Sequence, residues 1–193
     1  MTHAVWLPKA YDRSKRWPAI LFLHGAGERG TDNNLQMTVG LGPHLARLDP
    51  PAVVVFPQCL PGVQWNRVAA LAVDALDQVC DEHRIDPARV SLTGISMGGA
   101  GVWTLAAHYP TRWSALAPVC GWHDGRKEIP SIPTWIFHGD ADTIIPVEHS
   151  RAMAAKLGPR AKYTELPGVG HNSWDPAYGT TDVVDWLVRQ RRR

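Results

Sequence analysis

The sequence predicts an α/β domain in which helices cover both faces of a mainly parallel sheet. Short β-rich runs alternate with longer segments of helical periodicity, which is typical of parallel strands joined by helices. Residues 20–23 and 53–56 are continuously apolar rather than alternating, as strands buried on both faces must be. A chain of 193 residues fits one such domain, which we expect to span residues 1–193.

Seven runs are expected to form strands. They lie at residues 4–7, 19–23, 52–56, 90–93, 115–119, 134–137 and 162–166. The longest segments without regular structure each follow a strand, at residues 25–42, 57–66, 120–133 and 167–178. Because ligands bind at the carboxyl ends of parallel strands, we expect these four loops to converge on one site.

Four helices are expected between and after these strands. Apolar residues at helical spacing predict a helix over about 68–82, and a second should run over about 97–108, stopped by Pro110. Pro146 fits the first position of a helix that ends near residue 157. A last helix should begin after an N-cap at Thr180 or Thr181.

Composition excludes several classes of function. A formal net charge of +2 is too small to indicate a nucleic-acid partner. The three cysteines form no C-x-x-C pair, so we expect no zinc site, no other metal and no disulfide framework. No apolar run approaches the ~20 residues that span a bilayer, and the first residues do not resemble a secretory signal. We therefore expect a cytoplasmic protein without a membrane partner.

The segment from Gly94 to Gly99 carries the strongest chemical signal. It fits G-x-S-x-G with Ser96 at its centre, and it lies between a predicted strand and a predicted helix. In such a nucleophile elbow the serine occupies a strained turn, where side chains at residues 94 and 98 would meet neighbouring backbone. Ser96 is therefore the candidate nucleophile.

A serine nucleophile needs a base and an acid, which in this arrangement follow it in the order Ser, acid, His. Of nine histidines, only His171 combines that order with a glycine-bracketed loop after a predicted strand. His138 precedes both candidate acids and is expected to hold its own loop by hydrogen bonds. Asp140 and Asp142 both lie in the loop after residues 134–137, and from their position either could orient His171.

Acyl transfer also needs donors for the oxyanion of the tetrahedral intermediate. The backbone N–H of Met97 is one candidate, because Met97 follows the nucleophile. The glycine-rich loop after residues 19–23 should supply the other, with Ala26 as first choice and Gly27 as second.

Aromatic residues in the converging loops could contact a substrate. Trp65 and Trp174 are the candidates among nine tryptophans, because both are expected in loops around Ser96, where they could stack on an aromatic or sugar-like group. Loop aromatics also commonly anchor their own loop. Tyr178 and Glu28 are weaker candidates.

Several of these segments together resemble a known family. They are residues 23–30, 57–59, 94–99, 117–121, 138–146 and 168–178. The chain resembles bacterial α/β-hydrolases of the phospholipase/carboxylesterase and dienelactone-hydrolase group over about residues 7–187. It is most similar there to small esterases labelled predicted peptidases, which resemble feruloyl esterases and polyhydroxybutyrate depolymerases. The resemblance implies that Asp142, the last residue of His-Gly-x-x-Asp, is the catalytic acid. Dienelactone hydrolases use a cysteine nucleophile, and this chain has Ser96 instead.

We therefore expect a single α/β-hydrolase domain with a Ser-His-Asp triad and no cofactor. Only about 13 residues separate the strands around residues 119 and 134, where a cap domain could be inserted, so we expect none. An open site suits small soluble carboxylic esters as substrates. A peptidase or thioesterase with the same triad is the alternative, and a non-catalytic binding protein is disfavoured because all three triad residues are present.

Overall fold

A seven-stranded sheet forms the centre of the molecule. The computed structural model describes residues 1–125 and 127–192. The strands, in chain order, are β1 (His3–Trp6), β2 (Trp17–Leu23), β3 (Val53–Pro57), β4 (Ile85–Ile95), β5 (Ala115–Val119), β6 (Thr134–Gly139) and β7 (Ala161–Leu166). Their spatial order is β1-β3-β2-β4-β5-β6-β7. Only β1, at the edge, pairs antiparallel with its neighbour, so the mainly parallel sheet is confirmed.

Helices cover both faces of this sheet, as expected. They are α1 (Leu45–Leu48), α2 (Trp65–Glu82), α3 (Met97–His108), α4 (Glu148–Leu157), α5 (Trp174–Thr180) and α6 (Val183–Arg189). Side chains of α2, α3 and α4 pack in one apolar core, whereas those of α1, α5 and α6 pack in the other. Strand β2 serves both cores, because Leu21 faces the first and Phe22 the second.

Four helices differ from the sequence expectation. Helix α4 begins at Glu148, so Pro146 lies before it rather than at its first position. Helix α6 begins at Val183 with Asp182 as its N-cap, because Thr180 ends α5 and Thr181 follows it; neither threonine is the N-cap of α6.

Helix α2 begins at Trp65 rather than near residue 68, because an additional first turn precedes a kink at Val68, which has φ −125° and ψ 22°. Helix α5 lies in a stretch expected to lack regular structure. Pro176 is compatible with it because a proline in the first helical turn gives up no intrahelical N–H bond.

No additional domain is inserted at the carboxyl ends of the central strands in the described part of the chain. Strands β5 and β6 are joined by residues 120–133 alone, so no cap domain is inserted between them. Within the described ranges, no helix is long and apolar enough to cross a membrane.

Candidate active site

Ser96 lies in a sharp turn between β4 and α3. Its backbone has φ 52° and ψ −115°, a conformation that side-chain-bearing residues rarely adopt. A Cβ at Gly94 would lie 2.7 Å from the carbonyl oxygen of Leu23, and a Cβ at Gly98 would lie 1.9 Å from the same oxygen. The two glycines therefore give Ser96 the room for its turn, as the sequence pattern predicts.

His171 joins Ser96 to a carboxylate. Its Nε2 lies 2.9 Å from the Oγ of Ser96, and its Nδ1 lies 2.7 Å from the Oδ2 of Asp142. Because a carboxylate only accepts, Nδ1 carries the proton, and Nε2 is left to accept the hydroxyl proton of Ser96. The three side chains thus have the connectivity of a nucleophile, a general base and an orienting acid.

The Asp142 carboxylate is buried and hydrogen-bonded through both of its oxygens. Its side chain is completely buried, and its Oδ1 accepts the backbone N–H groups of Ile144 at 2.8 Å and Ile145 at 2.9 Å. Burial alone would raise the pKa of Asp142, but hydrogen bonds from His171 and these N–H groups bring that pKa below its ordinary value. Asp142 therefore stays ionised beside the imidazole.

Asp140 points elsewhere. It is exposed, and its Oδ1 accepts the backbone N–H of Gly168 at 2.7 Å. That bond ties the β6 loop to the loop after β7. Of the two aspartates that the sequence left open by position, the structure brings Asp142 to His171.

His138 lies behind Asp142 and is fully buried. Its Nε2 donates to the carbonyl oxygen of Ile145 at 2.9 Å and lies 3.2 Å from the Oδ2 of Asp142, while its Nδ1 lies 2.7 Å from the Oγ of Ser150. It holds its own loop, as its position suggests, and it also contacts the Asp142 carboxylate. Nothing in the sequence pattern indicates that second contact.

The loop after β2 runs against the nucleophile. A Cβ placed on Gly25 would lie 3.7 Å from the Cβ of Ser96, and the next two residues, Ala26 and Gly27, are exposed. Met97 begins α3, where the first N–H groups have no partner within the helix. The two segments expected to supply oxyanion donors, the loop after β2 and the start of α3, thus both adjoin Ser96.

The structure corrects two of the four side chains considered for substrate contact. Trp65 is not in a loop: it begins α2 and is 1% exposed, and its Nε1 donates to the carbonyl oxygen of His24 at 2.9 Å. Tyr178 is fully buried, with its hydroxyl 2.7 Å from that of Thr93. Both aromatic rings pack in the core, and burial is tolerated because the polar atom of each ring is hydrogen-bonded. Neither ring is therefore exposed for stacking on a substrate.

The other two candidates remain beside the site. Trp174 begins α5, and its ring meets that of His171 edge-on with centroids 5.4 Å apart. Glu28 is partly buried, and its Oε2 would lie 3.0 Å from a Cβ on Gly25. Burial raises the pKa of this carboxyl group.

An open groove of about 420 Å³ extends from Met97 along one side of α3. Its walls are the first turn of α2 and the loop after β5, from which Trp122 and Lys127 contribute. Trp122 was not singled out from the sequence, although it meets the criterion applied to Trp174, an aromatic residue in a loop that follows a strand.

Cys120 lies directly beneath the site. Its Sγ and the ligand atoms of Asp142 and His171 all lie within 4.8 Å of one another. Both ring nitrogens of His171 are already engaged in hydrogen bonds to Asp142 and Ser96, so neither is free to bind a metal ion in this arrangement. Burial raises the pKa of Cys120 to about 12, which keeps the thiol protonated and therefore weakly nucleophilic.

Comparison with known proteins gives a family match over most of the chain. The model of the PET hydrolase-like family matches residues 63–189, which include Ser96, Asp142 and His171 but not the loop after β2. The chain is 37% identical over 113 residues to cutinase cut1 of Thermobifida fusca, covering 55% of this chain and 35% of the cutinase. It is 27% identical to an uncharacterized secreted protein of Arthroderma benhamiae, covering 92% of this chain and 23% of that protein.

The chain thus spans well under half the length of these two curated relatives. The fungal relative is named as secreted, and the cytoplasmic location expected from the sequence stays a prediction.

Two solved structures have the same fold. A thermostable esterase superposes with a TM-score of 0.87 at 32% identity, covering 98% of this chain and 59% of that one. The feruloyl esterase module of Clostridium thermocellum, complexed with sinapinate, superposes with a TM-score of 0.77 at 14% identity, covering 99% of this chain and 84% of the module. These likenesses confirm the α/β-hydrolase fold.

Proposed function

The chain belongs to the PET hydrolase-like family, and we propose that it is a serine carboxylesterase that hydrolyses small, water-soluble carboxylic esters. The observation that carries this proposal is the pair of hydrogen bonds from His171, 2.9 Å to Ser96 and 2.7 Å to Asp142. The cutinase and esterase relatives support ester bonds as the class of substrate.

The proposed mechanism is acyl transfer through Ser96. His171 takes the hydroxyl proton as Ser96 attacks the ester carbonyl, and Asp142 stabilises the imidazolium that forms. The N–H groups of Met97 and Ala26 hold the oxyanion, each contributing about 3–4 kcal/mol in measured cases. His171 then protonates the leaving alcohol and activates the water that releases the acid.

The shape of the site supports small substrates. The groove beside Met97 is open and has about 420 Å³, room for a small acyl or aryl group. With no cap over the site, each additional methylene of a long acyl chain stays largely in water, where burial cannot contribute its ~0.8 kcal/mol. Turnover is therefore expected to fall beyond acyl chains of about eight carbons. Trp122 and Trp174 are the aromatic side chains proposed to contact the substrate.

A polyester hydrolase is a second candidate, favoured by the family and by one surface feature. Ile144, two residues after the catalytic acid, is 64% exposed and could rest on an apolar polymer. A peptidase would use the same triad but must protonate a poorer amine leaving group.

An ester panel tests the proposal. We expect p-nitrophenyl butyrate to be cleaved faster than the palmitate, and both much faster than a matched p-nitroanilide, with Ser96→Ala as the inactive control. A matched thioester completes the panel. Preference for the anilide or thioester would contradict a carboxylesterase, and faster release from a polyester film than from soluble esters would favour the second candidate.

A further inference from the structure

A second buried histidine stands behind the loop next to Ser96. His24 follows β2 directly and is fully buried. Its Nδ1 lies 2.6 Å from the carbonyl oxygen of Gly25, and its Nε2 lies 2.9 Å from the backbone nitrogen of Cys59. The indole of Trp65 packs against the edge of this ring, with centroids 4.9 Å apart.

The partners of His24 determine where its proton lies. The N–H of Cys59 can only donate, so Nε2 accepts, and Nδ1 must carry the proton that it donates to the carbonyl of Gly25. Burial lowers the pKa of His24 to about 4, so the ring is neutral near pH 7.

This hydrogen bond fixes the direction of one peptide group. In a trans peptide the carbonyl of Gly25 and the N–H of Ala26 point in opposite directions, and no cis bond occurs in the described residues. The ring of His24 lies on the buried side of the loop, so the N–H of Ala26 points toward the open side. Gly25 itself lies against Ser96, because a Cβ there would be 3.7 Å from that of Ser96.

We propose that His24 is a positioning residue that holds the Gly25–Ala26 peptide so that the Ala26 N–H faces the oxyanion formed at Ser96. This inference rests on the proposed function. It also selects Ala26 over Gly27 as the second oxyanion donor. An N–H group fixed in place before substrate arrives stabilises the developing charge without reorganisation, which is the source of such a donor's effect.

The rest of the loop is held by other residues. The Nε of Arg29 donates to the carbonyl of Ala26 at 2.8 Å. Gln58 is buried, accepting the N–H of Asn33 at 2.7 Å and donating to the carbonyl of Glu28 at 3.2 Å. Loss of the His24 bond should therefore affect one peptide group and leave the outer loop in place.

Two substitutions separate the two hydrogen bonds of His24. The amide nitrogen of Asn in His24→Asn can take the place of Nδ1 and keep the donor to Gly25. The amide oxygen of Gln in His24→Gln can take the place of Nε2 and keep the acceptor for Cys59, but it leaves the Gly25 carbonyl without its donor. We expect kcat to fall about 10- to 100-fold in His24→Gln, less than the 10²–10³-fold that loss of a whole oxyanion donor costs. We expect KM to stay within about twofold and His24→Asn to recover most of kcat.

Inhibition by a trifluoromethyl ketone provides the second measurement. Ser96 adds to its carbonyl, and the resulting oxyanion occupies the same position as that of the intermediate. Its Ki should rise in His24→Gln by the same factor as kcat falls. His83→Asn is the control, because the ring of His83 is also hydrogen-bonded, to the Tyr11 hydroxyl at 2.8 Å, but lies at the far end of α2 from the site.

Several outcomes would overturn the proposal. Unchanged kcat and Ki in His24→Gln, a change in KM alone, or equal losses in the Asn and Gln variants would each do so. If His24→Gln does not fold, ¹⁵N-histidine NMR of the unmodified enzyme decides, because the proposal requires the Nδ1–H tautomer and an unprotonated Nε2. Wild-type protein that cleaves no ester, or Ser96→Ala that still cleaves, would instead refute the proposed function.

Discussion

The same dipeptide stands at the ends of β2 and β6 but has a different role in each. His24-Gly25 directly follows β2, and His138-Gly139 forms the last two residues of β6. Both histidines are fully buried with a pKa lowered by burial. His24 hydrogen-bonds backbone groups alone, whereas His138 contacts the Asp142 carboxylate and the Ser150 hydroxyl.

In the loop after β2, the histidine is proposed to position the backbone N–H of Ala26. In the loop after β6, it contacts the carboxylate of Asp142. A neutral buried imidazole suits both tasks because it supplies one donor and one acceptor in fixed directions. The dipeptide alone therefore does not specify the role of the loop, which depends on the groups that hydrogen-bond to the histidine ring.

The largest effect is expected where the β6 loop meets His171. Asp142→Asn should lower kcat about 10⁴-fold, because an amide no longer holds His171 in the required tautomer and stabilises no imidazolium. Asp140→Asn is the matched control, since its amide oxygen can still accept the Gly168 N–H, and kcat should stay within about threefold. Steady-state kinetics with circular dichroism for fold measures both. An inactive Asp140→Asn beside an active Asp142→Asn would reverse the assignment of the acid.

The next largest effect is expected in the β2 loop. Ala26→Pro removes the proposed donor N–H, so kcat should fall about 10²–10³-fold with little change in KM. Gly27→Pro is the companion variant and should cost less. The opposite order of the two kcat values would make Gly27 the donor and would also remove the role proposed for His24.

The lowered pKa of His24 should make the stability of the folded protein depend on pH. Below pH 6.5 the unfolded chain takes up a proton at this residue, whereas the folded chain does so only near pH 4. The unfolded state binds more protons in that window, so wild-type stability falls as the pH drops from 6.5 to 4. Thermal unfolding should show a shallower decline for His24→Asn than for wild type. Parallel curves would mean that His24 is not held neutral in the fold.

The smallest effect is expected at the far side of the β6 loop. Ser150→Ala removes the hydroxyl that donates to Nδ1 of His138, leaving a buried nitrogen without a partner. We expect a loss of about 1–3 kcal/mol in the free energy of unfolding. The change in kcat should stay below about threefold, because Asp142 keeps both backbone donors. A loss of kcat near that of Asp142→Asn would show that His138 positions the acid more strongly than this contact indicates.

The sequence predicts the strands of the sheet and the position of the nucleophile elbow, but it predicts few of the side-chain contacts in the site. Continuous apolar runs such as residues 53–56 identify buried strands, because parallel strands covered on both faces admit few polar residues. The G-x-S-x-G motif locates the elbow, because clashes with the Leu23 carbonyl exclude side chains at both glycines.

Contacts between residues that are distant in the sequence could not be predicted in this way. The choice of Asp142 over Asp140 came from a family resemblance and not from spacing. The sequence places Trp65 in a loop, because the apolar residues at helical spacing begin only after the kink at Val68. The bonds of His24 to Cys59 and of His138 to Asp142 depend on side-chain directions that only the folded chain defines.

The central claim is that Ser96, activated by His171 and Asp142, is the nucleophile. The most direct test is labelling with a fluorophosphonate, followed by peptide mass spectrometry. We expect one adduct per chain, on Ser96, with loss of esterase activity in proportion to labelling and with no adduct in Ser96→Ala. An adduct on another residue, or esterase activity that survives both full labelling and the Ser96→Ala substitution, would contradict it.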